Sequence, residues 1–108
     1  MQNLVYLIGR LVNDPEVKKT EKSKDHTTIT VAVQRAFKNS DGIYESDFIR
    51  CNLWNGIANN VCEYCKKGDL VGLKCRIQIR SYKDNEETKY ITEVIIDKVS
   101  FLYSKRPE

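Results

Sequence analysis

No apolar run in this chain approaches the length needed to cross a bilayer. Met1-Gln2-Asn3 leads straight into strand-like sequence, with no signal peptide and no arginine-rich transit segment, so a cytoplasmic protein is expected. There is no Gly-rich phosphate loop, no H-E-x-x-H and no G-x-S-x-G. Asp47, Glu63 and Asp69 lie in lysine-rich or loop sequence and form no convergent pair. The only histidine, His26, sits in a charged stretch where a solvated side chain is expected rather than a general base. These absences argue against an enzyme, and no cofactor is expected. Cys62 and Cys65 have C-x-x-C spacing, but no second such pair and no H-x-H accompanies them. Reduced thiols are therefore the better reading than zinc, with Cys51 and Cys75 on inward strand faces as small hydrophobes. No repeat or low-complexity segment is evident.

What is present is alternation. Between Leu73 and Tyr82 the chain runs LKCRIQIRSY. Leu73, Cys75, Ile77 and Ile79 share one parity; Lys74, Arg76, Gln78, Arg80 and Tyr82 share the other. A strand sends successive side chains to opposite faces, so one face is apolar and the other basic, ending in an aromatic ring. Cations that meet phosphates and rings that stack on bases are what a single-stranded nucleic acid requires. The net charge of +3 permits a polyanionic partner without demanding one, so the location of charge matters more than its sum.

With 108 residues, of which 41% are hydrophobic, the chain suits one small domain with a single core. The first strand reads from Leu4 to Val12 and is apolar on both faces, with Val5 and Leu7 alternating with Leu4, Tyr6 and Ile8. One face lines a core; the other points to a subunit interface. Asn13-Asp14-Pro15 breaks this strand, and Lys18 to Asp25 reads as a solvated turn or hairpin tip whose lysines serve solubility. The second strand spans Thr27 to Phe37 with Ile29, Val31 and Val33 inward, a parity that also turns Phe37 inward unless the strand bulges or leaves the barrel body. Asn39-Ser40-Asp41-Gly42 predicts a hairpin. The third strand, Tyr44 to Trp54, puts Phe48, Arg50, Asn52 and Trp54 on one face and Ile49, Cys51 and Leu53 on the other. Large rings on a polar face have no packing reason to be there.

Gly56 to Lys67 is the one convincing helix, with Ile57, Ala58, Val61, Tyr64 and Cys65 on its apolar stripe, Asn55 as N-cap, Lys66 and Lys67 in the last turn and Gly68 beyond it. The fourth strand spans Asp69 to Lys83, a polar turn covers Asp84 to Glu87, and the fifth strand spans Lys89 to Leu102 with a bulge near Asp97-Lys98. The expected class is all-β. A five-stranded barrel with one capping helix between strands three and four is the order of the OB-fold, which binds oligonucleotides on its strand two–three face.

These stretches resemble a known family. NLVYLIGRLVNDPEV, TITVAVQRAF, ESDFIRCNLWN, EYCKKGDLV, RIQIRSY and YITEVIIDKVSFL match, in order and spacing, bacterial single-stranded DNA-binding proteins of the short-loop kind found in low-GC Gram-positive bacteria and their phages. The resemblance implies base-stacking aromatics at Phe37, Phe48, Trp54 and Tyr82; for Phe37 this overrides the parity count. Candidate phosphate contacts are Arg35, Arg50, Lys74, Arg76, Arg80 and Lys67. Arg80 has the firmest family counterpart, while Lys74 and Arg76 rest mostly on parity. The resemblance further implies a homotetramer, with the first strand's Leu4, Tyr6 and Ile8 at an interface. Residues 1–103 would form the DNA-binding domain and 104–108 a short remnant. Family members usually continue into a Gly/Pro/Gln-rich linker and an acidic tip that recruits replication and repair proteins, which this sequence does not show; such recruitment is expected only if the native protein has that tail. The implied function is sequence-tolerant binding and protection of single-stranded DNA in replication, recombination and repair. A primosomal replication-restart adaptor of the same fold, or an RNA-binding OB domain, is the alternative.

Overall fold

The computed structural model describes residues 1–104. Its elements are β1 (Val5–Leu11), β2 (Lys18–Lys19), β3 (Asp25–Lys38), β4 (Tyr44–Trp54), α1 (Asn55–Tyr64), β5 (Leu70–Asp84) and β6 (Glu87–Tyr103). The sheet order is β1-β5-β6-β4-β3-β2, and β1 also pairs with β3. Five strands thus close into the OB-fold barrel, while two-residue β2 adds a flap to the start of β3. Every pairing is antiparallel except β4 with β6, joined in parallel at Cys51–Val94 and Asn52–Ile95. No helix among the described residues is long and apolar enough to cross a membrane. Of the expected C-terminal remnant, residues 105–108 lie outside the described residues.

Closure depends on β1. From Val5 to Arg10 it pairs with β5, and at Arg10 and Leu11 it pairs with Ala32 and Val31 of β3. At this seam the backbones come so close that a Cβ on Gly9 would lie 2.5 Å from the Ala32 carbonyl oxygen and 3.1 Å from Val33 Cγ2. Inside the barrel, Leu11, Ile29, Val31, Cys51, Leu53, Leu73, Cys75 and Ile96 are buried, and α1 plugs the barrel with Ala58 and Val61. Burying a side chain of Leu or Ile size contributes about 1.5–3 kcal/mol.

The expected strands, turns and bulge are found, the bulge with Asp97 as the extra residue between Cys75–Ile96 and Lys74–Lys98. Four details differ. The helix ends at Tyr64, not Lys67, because Cys65 turns extended and inserts into the core. Lys66 and Lys67 therefore belong to a turn in which the Asp69 amide donates to the Lys66 carbonyl at 3.1 Å, with Gly68 at φ +91°. Asn55 is not the N-cap: extended Trp54 holds that place, and Asn55 absorbs the strand-to-helix turn at φ +55°, which Asn tolerates. Ile77 and Ile79 have the inward parity yet are exposed: Ile77, opposite Val94 of the β4–β6 joint, sits at the barrel rim, and Ile79 lies beyond it, where β5 and β6 run on as a two-stranded arm. Tyr64, on the expected apolar stripe, is also exposed, edge-on to Phe101 at 6.2 Å.

All four thiols are free, with Cys51, Cys65 and Cys75 buried and Cys62 half-buried. A hydrogen bond with its sulfur neighbour Cys75, and then burial, push the Cys51 thiol well above the usual range. Among the described residues no group of three or more His, Cys, Asp or Glu side chains is arranged to hold a metal ion.

Gly9→Ala forces the β1–β3 seam apart. Its expected cost is about 1–3 kcal/mol, typical of overpacking, seen as an earlier denaturant midpoint with an unchanged circular dichroism spectrum.

Candidate nucleic-acid interface

The β3–β4 ladder sets His26 opposite Trp54, Thr28 opposite Asn52, Thr30 opposite Arg50 and Ala32 opposite Phe48. Their strand neighbours Thr27, Ile29, Cys51 and Leu53 are buried, so this set points outward. The parallel β4–β6 joint carries the face onward, and β6 hands it to β5 through the pairs Gln78–Glu93, Arg80–Ile91 and Tyr82–Lys89. One outer surface therefore crosses β3, β4, β6 and β5. Phe48 stands 68% exposed on it, with Trp54 and Tyr82 partly exposed. Phe37 is 83% exposed. The parity that turns it inward fails because the β3–β4 register shifts between Gln34 and Lys38, out on the hairpin arm.

A polar chain fixes the middle of this face. Arg80 Nε donates to Glu93 Oε1 at 2.6 Å, and Asn52 Nδ2 donates to Glu93 Oε2 at 2.8 Å. A carboxylate only accepts, so the Asn52 amide is oriented with its oxygen away from Glu93. That oxygen receives Thr28 Oγ1 at 3.2 Å and faces His26 Nε2 at 3.1 Å, which makes Nε2 the protonated nitrogen. The His26 ring lies against Trp54, centroids 4.3 Å apart at 36°. His26 is thus a half-buried β3 residue positioning Trp54, not a solvated loop histidine. Sequence reading missed His26, Asn52 and Glu93 as site residues; counting the hairpin register back from Ile29–Cys51 leads to the His26–Trp54 pair.

The candidate cations divide. Arg50 and Arg80 line one groove of about 230 Å³ with Thr28, Asn52 and Glu93. The Arg50 side chain makes no hydrogen bond or ion pair among the described residues. Arg35 is forked between Asp47 (Nη2–Oδ1 2.8 Å) and Glu45 (Nη1–Oε2 2.9 Å). Its guanidinium holds the Asp47 carboxyl below the usual range, and the carboxylates raise Arg35 in turn. Arg76 pairs with Asp97 and lines a cleft with Trp54 and the first turn of α1. Lys74 lies apart, opposite Tyr6 on β1 and Lys98 on β6. Lys67 is exposed in the α1–β5 turn, its amide donating to Asp14 Oδ1 at 2.8 Å. On the other side of Trp54, Lys22 and Lys24 of the β2–β3 hairpin line a cleft of about 520 Å³ with the indole, so these lysines border the face.

The chain's residues 2–102 match the model of the single-strand binding protein family. It is 44% identical over 109 residues to single-stranded DNA-binding protein B of Bacillus subtilis (strain 168), covering 100% of this chain and 96% of that one. It is 44% identical over 107 residues to single-stranded DNA-binding protein 3 of Listeria innocua, covering 98% of this chain and 67% of that one. Against single-stranded DNA-binding protein 1 of Lactococcus lactis the identity is 41% over 109 residues, 100% of this chain and 73% of the relative. A five-stranded barrel carrying outward aromatics and arginines, matched by the family model over nearly its whole length, belongs to the single-strand binding protein family.

Proposed function

We propose that this protein binds single-stranded DNA with little sequence preference, residues 1–103 acting as one DNA-binding domain. The observation that carries the reading is the exposure of large rings at Phe37, Phe48, Trp54 and Tyr82 beside arginines on an otherwise polar surface. Bases stack on these rings, and every base has a π-face, so sequence matters little. Phosphates meet Arg50 and Arg80 in the central groove and Arg35 and Arg76 towards its ends, with Lys74 and Lys67 as outlying contacts. Such a protein works on the cytoplasmic nucleoid, covering single strands exposed in replication, recombination and repair.

Trp54 is the only tryptophan, so its fluorescence reports the site directly. Titration with oligo(dT) at low salt is expected to quench it strongly, and absence of quenching removes Trp54 from the site. Alanine at Phe37, Phe48 or Tyr82 is expected to weaken binding by about 1–3 kcal/mol each, the range known for single-strand-binding OB folds of this kind. Competition with a matched RNA oligomer tests the RNA-binding alternative, because the 2′-OH separates the two ligands.

The second part of the proposal is a homotetramer. Leu4, just before β1, and Tyr6 and Ile8 on one face of β1 present an apolar strip 64%, 57% and 52% exposed. A strip of this kind on a folded domain marks an association surface. The double variant Tyr6→Lys, Ile8→Lys is expected to lower the mass in solution while retaining the barrel's circular dichroism. A wild-type chain that sedimented as a monomer, with or without oligo(dT), would rule the assembly out.

A further inference from the structure

Three of the four arginines assigned to phosphate contact are already paired with carboxylates: Arg35 with Asp47 and Glu45, Arg76 with Asp97, and Arg80 with Glu93. None of these carboxylates belongs to the barrel core, and each sits where the arginine would otherwise face solvent. Glu93 is the most firmly held: its side chain is only 16% exposed, and Asn52 fixes its second oxygen. We infer that Glu93, Asp97 and Asp47 act as resident stand-ins for phosphate and determine the face's specificity for stacked bases over bare negative charge. The inference rests on the DNA-binding reading and adds the carboxylates that neighbour its arginines.

The argument is one of exchange. A free arginine that meets a phosphate gains an ion pair and releases a condensed counterion. A paired arginine must first leave its carboxylate, which then draws a cation from solution, so ion pairs and free counterions nearly balance. A ligand offering only charge gains little at Arg35, Arg76 and Arg80. A ligand that also offers rings gains through stacking, and the arginines then orient its backbone. Arg50, free of such a partner among the described residues, carries the larger share of the salt dependence.

The test uses inorganic polyphosphate, a polyanion with no bases, beside oligo(dT). Glu93→Gln and Asp97→Asn keep side-chain shape and remove the charge. Each is expected to raise polyphosphate affinity about two- to fivefold, the span of an exposed ion pair. Each is also expected to steepen the oligo(dT) salt slope by about 0.7, the increment for one phosphate on a single strand. Glu63→Gln on the exposed side of α1 changes net charge equally and is the control. In an Arg80→Gln background the gain from Glu93→Gln should vanish. Equal gains from Glu63→Gln, gains that persist without Arg80, or unchanged slopes overturn the inference. Wild-type protein that fails to bind oligo(dT) overturns the DNA-binding reading and this inference with it. Normal wild-type binding with unchanged variant slopes overturns this inference alone.

Discussion

The hydrogen bonding of β1 on both edges is the constraint from which the outer surface follows. An open sheet of the same strands would leave the edge of β3 beyond its β2 flap, and the free edge of β1, to pair with other chains. Because β1 meets β5 along most of its length and β3 at Arg10 and Leu11, each barrel strand has a fixed inside and outside. A register slip of one residue would send Phe48 and Arg50 into the core and Cys51 and Leu53 into water. The apolar interior therefore fixes the polar exterior: the rings stand outward because their neighbours cannot. Gly9 marks how little room closure leaves.

Much of this was legible in the sequence because alternation reports direction wherever a core exists. The third strand was read with the bounds found for β4, and the bulge near Asp97-Lys98 was visible as a change of apolar parity. Parity failed where the core ends. Ile79 and Phe37 carry inward parity on hairpin arms that extend past the barrel, and Ile77 sits at its rim, so the core does not cover them fully. The helix end was misplaced because Lys66-Lys67-Gly68 suits a helix terminus and a tight turn equally well, and only the burial of Cys65 decides between them. His26 was missed because composition marks its surroundings as loop, whereas its role comes from a cross-strand pairing that depends on the partner strand's register.

The face itself is more ordered than a set of rings and cations. Arg80, Glu93, Asn52, His26 and Trp54 form one chain of contacts that runs across four strands, β5, β6, β4 and β3. Half-burial strengthens such a network, since its members have fewer waters to turn to. The indole is thereby held by a neighbour that is itself held, which lowers the ordering cost of the stacking proposed for it.

The parallel joint between β4 and β6, at Cys51–Val94 and Asn52–Ile95, has a mechanical meaning. Its register is far shorter than those of the other barrel seams except β1–β3, and it runs beneath the middle of the aromatic face. A polymer laid across that face, touching Phe48 and Trp54 on one side and Arg80 and Tyr82 on the other, bridges the seam like a clasp. Occupancy and resistance to local opening are then coupled, because the clasp fits only the closed barrel.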